Sequence, residues 1–458
     1  YRNAKEIFDV AKKLNPETEV GDLPNTKNQN LTLTFSVDKG IKPLFLKYPD
    51  LNLEEGIKNL SKNILENHEE YSQMITQEMH KPISQSRGEV KKCALMTDYY
   101  VAAENVLKPE IVETELSASE VYYQPMGVIL GIMPWNFPFW QALRFAVPTI
   151  LAGNVVLLKH ASICKGSGRA IEELFKKSGF PEGILQNIEY SYADIEELIT
   201  NPLVKGVSLT GSEATGRKIA SLAGANIKKS LLELGGNDAF IVLDDTDLDK
   251  TAKQGAAARL RNCGQACTSA KRFIIQESIY AEFLEKLKTE YQKYELGDPF
   301  DDKTELSGLA SKSFADELQQ QYEKALEHGA EIIIPLERVD DISFKPGLIK
   351  MNLDNPMIDE ELFGPLGMVI SAKDDEEILK IANNTNFGLG NSVWTSSKER
   401  AYFFAENLES GTVSLNKLMT SDPRFPFGGT KNSGYGLELS LKTLKEFCVT
   451  KSVFGEVK

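Results

Sequence analysis

Gly127-Val128-Ile129-Leu130-Gly131-Ile132, followed by Met133-Pro134-Trp135-Asn136-Phe137-Pro138, is an apolar run that ends at a turn between two prolines. An uncharged run of this length reads as a strand buried on both faces, the habit of a parallel sheet. Asn136 then stands at the strand's C-terminal end, the edge from which α/β sheets present side chains to ligands. Its amide has two readings: a donor to a developing oxyanion, or a residue that only turns the chain.

The pattern repeats downstream. Leu151 to Leu158 reads as a second buried strand, closed by Lys159-His160-Ala161-Ser162, where Lys159 could bond a ribose or simply solvate a strand end. Val204 to Leu209 reads as a third, running through Thr210-Gly211-Ser212-Glu213-Ala214-Thr215-Gly216 into a helical pattern. Glycine at such a turn lets backbone approach a phosphate, and the helix's free N–H groups favour that charge. Many strand-to-helix turns carry glycines without binding anything. Helices are expected over Leu53 to Glu66, Ser86 to Val106, Cys164 to Lys177, Gly216 to Ala223, Asp249 to Arg261 and Ile279 to Tyr294. Strands alternating with helices predict a doubly wound α/β fold, and 458 residues exceed one ordinary core.

Two motifs carry nucleophilic chemistry. Glu233 lies in Leu232-Glu233-Leu234-Gly235-Gly236, and Cys267 ends Asn262-Cys263-Gly264-Gln265-Ala266-Cys267. Thiolate is the reactive form of cysteine, and a buried glutamate can take up protons near neutral pH, so the pair can attack a carbonyl without metal. A lone cysteine is more often a small buried hydrophobe.

Together these segments, with Glu361-Leu362-Phe363-Gly364-Pro365 and Phe425-Pro426-Phe427-Gly428-Gly429, resemble the aldehyde dehydrogenase superfamily from about Glu78 to the C-terminus. Residues 1 to about 60 fit it poorly: Asn15-Pro16-Glu17-Thr18 matches its opening turn, but the residues after that turn do not. The resemblance implies a Rossmann-type cofactor unit over 1–108 and 126–235, an α/β catalytic unit over 236–427, and a β arm over 109–125 and 438–458. It also implies roles. Cys267 attacks the aldehyde, Asn136 and the Cys267 N–H hold the oxyanion, and Glu233 activates water against the thioester. Lys159 and Glu361 would grip the riboses, Gly211, Ser212 and Gly216 would meet the pyrophosphate beside Leu234, and Trp135 and Phe363 would line the nicotinamide cleft. Leu437 replaces the arginine that commonly follows Gly-x-Gly, removing one familiar contact.

Arg144, Arg261 and Ser421 match the positions at which succinate-semialdehyde dehydrogenases hold their substrate's distal carboxylate. Arginine suits that task, since its planar fork pairs a carboxylate bidentately and keeps its charge. On the spacing alone, Arg144 falls two helical turns after Asn136 on one face, pointing into the channel. Lys plus Arg is 52 against 66 Asp plus Glu, net −14, so the general field repels an anionic substrate and local arginines are needed to reverse it. Succinic semialdehyde is the favoured substrate, with other short omega-oxo acids close behind. NAD-strict relatives place a glutamate where Ser162 stands; with Lys165 nearby, NADP is permitted, although the pair also reads as a helix cap and a surface charge.

Apolar content is 41%, and no apolar run approaches a membrane span. Five cysteines without paired spacing point to a reducing, cytoplasmic setting, with no signal peptide in the residues given. Cys263 could pair reversibly with Cys267. Four scattered histidines offer no zinc cluster, and no basic patch suggests nucleic acid. Asp374 to Glu377 reads as a solvated helix start. Glu113 to Tyr123 and Phe447 to Phe454 alternate without a core of their own, strands that are hazards unless paired. The resemblance has them joining a neighbouring subunit's sheet in a homodimer or homotetramer. Rival readings are a cofactor-free cysteine esterase, a non-catalytic relative, and an acyl-transferring variant using phosphate or coenzyme A.

Overall fold

Two parallel sheets dominate the computed structural model, which describes residues 52–191 and 194–457. The expected opening turn at Asn15 lies outside the described residues. In the first sheet the order is Gly434–Tyr435, Lys229–Glu233, Val204–Thr210, Val128–Met133, Val155–His160, Leu185–Asn187, parallel throughout except for the first pair. From Val128–Met133 the chain first builds outward through Val155–His160, then crosses to Val204–Thr210 on the other side. That reversal opens a crevice at the C-terminal end of the central strand.

The second sheet runs Glu331–Ile334, Gly347–Lys350, Leu366–Ala372, Arg272–Gln276, Ala239–Val242, Gly390–Trp394, Thr412–Leu415, with only the first pair antiparallel. Both sheets bury apolar side chains on both faces, so their strands read as continuous runs rather than alternations. After the second sheet the chain returns, and Gly434–Tyr435 extends the first.

Leu53–Glu66 is helical as expected, and Lys165–Lys177, Glu213–Ala225, Leu248–Leu260 and Tyr280–Tyr291 fall within a few residues of their expected bounds. Asp374 caps Asp375–Asn383, as its charge run indicated. The helix expected from Ser86 begins at Ile83, ends at Tyr100 and tightens into a 3-10 turn over Val101–Asn105. The expected strand from Leu151 starts only at Val155: Leu151 closes the helix Pro138–Leu151, whose apolar residues continue without a break into the strand. A helix buried all round has no polar face to mark its end.

Ala118–Pro125 pairs antiparallel with Cys448–Gly455 along its whole length, and Glu110–Ile111 adds a short third strand. The two alternating segments thus satisfy each other, and the strand does not begin until Ala118. Among the described residues the outer edge of Cys448–Gly455 is unpaired, with Val449, Val453 and Phe454 exposed. Among the described residues no helix is long and apolar enough to cross a membrane.

Candidate active site

Three adjacent strands of the first sheet deliver Asn136, Lys159 and Ser212 to one end of that sheet, beside the crevice. Asn136 is fixed on three sides. Its Nδ2 donates to the Gln265 carbonyl at 3.0 Å, while its own carbonyl accepts from Lys81 Nζ at 2.7 Å and Asn262 Nδ2 at 2.9 Å. One amide hydrogen is thereby used for orientation and the other is left to donate. Lys81 is held in turn by Glu89, both side chains 1% exposed, and Glu89 accepts the Phe139 and Trp140 N–H groups at 2.9 and 3.0 Å. A buried carboxylate therefore caps the helix Pro138–Leu151 and sets the turn before it. Asn136 precedes that helix, so the expected shared helical face with Arg144 does not exist; the spacing spans a non-helical turn.

Cys267 is carried on a loop with three consecutive left-handed residues, Asn262 (φ 52°), Cys263 (φ 54°) and Gly264 (φ 76°). Asparagine tolerates this conformation and cysteine does not, a strain of about 1–3 kcal/mol that surrounding contacts must offset. At Gly264 a Cβ would meet the Gly364 carbonyl at 2.1 Å, so only glycine lets the two loops touch. Arg259, fully buried, donates to the Leu362 carbonyl at 2.6 Å and to that of Gly364; Lys271 donates to the carbonyls of Ala266, at 2.9 Å, and Cys267. Cys263 faces Ser307, whose N–H reaches its Sγ at 3.2 Å, and both Cys263 and Cys267 are free thiols. Burial pushes the Cys267 thiol up to about 11, against the opposing charges of Lys271 and Arg144.

Glu233, 2% exposed, has no hydrogen-bond partner for either carboxyl oxygen among the described residues. Burial raises its pKa well above the usual carboxylate range; Arg144 opposes the shift and Glu438 adds to it. Once ionised, such a carboxylate is a stronger base than an exposed one and can take a proton from a thiol or water. Arg144 does not stand open as expected: it is buried in an ion pair with Glu438, its guanidinium carbon 4.9 Å from the centre of the Phe427 ring. Arg261 carries no carboxylate within ion-pair distance among the described residues, and Cys267 is the group that opposes its burial. Ser421 Oγ accepts from Lys92 Nζ at 2.9 Å.

Ser212 caps the helix Glu213–Ala225, accepting from the Thr215 N–H at 3.4 Å, and that terminus is open to an anion. A Cβ at Gly216 would strike Leu234 at 2.5 Å, so this glycine permits helix-to-strand packing, while Gly211 has ordinary room around it. Lys159 is buried at its strand end, and desolvation lowers its pKa. Ser162 is exposed and is not a cap, because Cys164 occupies that position; Lys165 lies 3.9 Å from Glu189, which Arg169 also engages. Glu361 accepts the Gly236 N–H at 3.0 Å and sits 3.3 Å from Lys271. Trp135 stacks on Phe314 at 4.4 Å and meets the edge of Phe363 at 5.7 Å.

The model of the aldehyde dehydrogenase family matches residues 47–453, nearly the whole chain. The chain belongs to the aldehyde dehydrogenase family. A succinate-semialdehyde dehydrogenase [NADP(+)] of Deinococcus radiodurans is 41% identical over 85% of this chain and 83% of that protein. A succinate semialdehyde dehydrogenase [NAD(P)+] of Escherichia coli is 40% identical over 88% of each. Among solved structures, succinic semialdehyde dehydrogenase from Streptococcus pyogenes in complex with NADP+ superposes with a TM-score of 0.87 at 38% identity, covering 90% of this chain and 92% of that one.

Within this aldehyde dehydrogenase, the sequence reading missed Lys81, Glu89, Lys92, Arg259, Lys271 and Glu438. For Glu89 a signal existed: Ser86, Glu89, Val90 and Cys93 recur at helical spacing and are all buried, so a carboxylate interrupts an apolar stripe. Lys92 comes three residues after Glu89.

Proposed function

We propose that the chain oxidises a short aldehyde bearing a distal carboxylate, succinic semialdehyde above all, to the acid with NADP or NAD. Cys267 Sγ forms the bond to the aldehyde carbon, and Glu233 takes the thiol proton, which the thiol's raised pKa makes necessary. The second Asn136 N–H and the Cys267 N–H receive the negative oxygen, whose charge drives hydride departure. When bound, the nicotinamide supplies the hydride acceptor. Glu233 gives the thiol's proton up to solvent and, ionised again, deprotonates the water that hydrolyses the Cys267 thioester.

The donor set fits a dinucleotide: a cationic Lys159 and the Ser212-capped helix terminus suit phosphate and ribose, and Glu361 can exchange its Gly236 and Lys271 contacts for ribose hydroxyls. No carboxylate occupies position 162, which permits a 2′-phosphate. The cofactor unit is assigned to the first sheet, the catalytic unit to the second, and the arm to a homodimer or homotetramer through the open edge of Cys448–Gly455. The enzyme is assigned to the cytoplasm.

The observation that carries the substrate reading is that Arg144 is buried beside Glu438 and Phe427 while Arg261 has no carboxylate within ion-pair distance among the described residues, in a chain of net charge −14. The deciding experiment monitors the near-ultraviolet absorbance of reduced nicotinamide with succinic semialdehyde and butanal, each with NAD and NADP. Preference for the semialdehyde supports the reading; equal rates leave a broad-range aldehyde dehydrogenase.

A further inference from the structure

Lys92 projects from the helix Ile83–Tyr100 onto the Trp140 ring, 3.9 Å from its centre, and donates to Ser421 Oγ at 2.9 Å. Trp140 lies one turn before Arg144 on the helix Pro138–Leu151. The charged and titratable groups that face Lys92 are Arg261 and Arg144 from other elements, and Cys93 and Glu89 from its own helix. Among the described residues neither Lys92 nor Arg261 has a carboxylate within ion-pair distance, and Arg144 has Glu438 alone. Only one of the three cations is therefore ion-paired, Arg144 with Glu438; Glu89 is engaged by Lys81, and burial favours the neutral form of Glu233, so the cations are under-compensated, an imbalance that is expensive when desolvated and is relieved by an incoming anion.

The hydrogen bond to Ser421 has a direction that matters. An ammonium has three N–H groups and accepts nothing, so it must donate to Ser421 Oγ. The hydroxyl's own hydrogen is then free to be given elsewhere, and Lys92 keeps a further N–H. Both can be given to the two oxygens of one carboxylate. We propose that Lys92 is the third cation of the carboxylate site and, through Ser421, sets the preference for aldehydes with an anionic far end; this rests on the reading of Arg144, Arg261 and Ser421 above.

Burial together with Arg261 and Arg144 pushes the Lys92 ammonium down to about 7, so its charge, and with it the anion preference, titrates near neutrality. The test is kcat/KM for succinic semialdehyde and for butanal from pH 6 to 9 in the wild type, Lys92→Met, Lys92→Arg and Arg261→Met. The wild-type ratio of semialdehyde to butanal should fall as pH rises through the neutral range, since only the protonated amine attracts the anion. Lys92→Met should cut the semialdehyde value about tenfold or more, through KM, with a far smaller change for butanal, and should flatten the ratio against pH; Lys92→Arg should restore the preference. Equal losses for both aldehydes in Lys92→Met, or a flat wild-type ratio, overturn the proposal, and the latter remains decisive if the methionine variant does not fold. A wild type without semialdehyde preference refutes the underlying substrate reading as well. Preference lost in Arg261→Met but kept in Lys92→Met refutes the role of Lys92 alone.

Discussion

Arg144 and Glu438 form an ion pair with both side chains 3% exposed, and the same two residues are the charges that bear on the buried carboxyl of Glu233. Arg144 arrives on the helix after Asn136, and Glu438 on the chain returning to the first sheet after the second. The general base is thus tuned by a pair assembled from distant segments.

Glu438→Gln should separate those effects. Arg144 would act on Glu233 without the opposing carboxylate, so Glu233 should ionise at lower pH and the acid limb of the kcat/KM profile should move down. Leaving a buried guanidinium without its counter-charge should also lower stability by about 3 kcal/mol in urea denaturation. An unmoved acid limb with the stability loss intact would confine the pair to a structural role.

Glu233→Gln makes a prediction of opposite sign for stability. The folded-state pKa of Glu233 is raised, so its contribution to stability is fully present below the unfolded value and lost as pH rises through the folded one. Glutamine never acquires that buried charge, and the variant's Tm should gain on the wild type progressively toward alkaline pH. In rapid mixing the same variant should form reduced cofactor slowly and without a burst, because the base serves the Cys267 thiol before hydride transfer as well as the water after it. A Tm difference independent of pH would contradict the buried, unpartnered carboxyl.

What the sequence disclosed depended on how local the physics was. The strands Val128–Met133 and Val204–Thr210 were legible because uncharged runs bounded by turns have few alternatives, and Asn136 followed from the first of them. The start of Val155–His160 was not, because the buried helix before it carries the same apolar signal. The packing demand on Gly216 was not legible, because it is tertiary: nothing local says that Leu234 will lie against it. Lys81 and Arg259 bond carbonyls of distant segments, and a lysine or arginine bound for the interior looks like any surface cation until the fold closes.

The Cys267 thiol, held up to about 11 chiefly by burial, should be a sluggish nucleophile in the enzyme without cofactor. Alkylation by iodoacetamide should accelerate about tenfold per pH unit between pH 7 and 10, in step with the thiolate fraction. Lys271→Met removes the largest charge that favours the thiolate and should slow alkylation further at each pH. A rate that levels off near neutral pH in the wild type would place the thiolate in a more favourable environment than this one.

Asn136 offers the sharpest contrast between shape and hydrogen-bond polarity. Its amide is oriented by donation to the Gln265 carbonyl, with the second N–H left for the oxyanion. Asn136→Ala deletes the donor and should lower kcat by about 10²–10³-fold, the usual loss for one oxyanion donor. Asn136→Asp keeps the shape but replaces the donor with a carboxylate oxygen, which repels both the Gln265 carbonyl and the developing negative charge. Activity should therefore fall in the order asparagine, alanine, aspartate, even though aspartate is the closer isostere. Thermal melts of both variants distinguish this from simple unfolding. An aspartate variant more active than the alanine one would mean that Asn136 serves the turn and not the transition state.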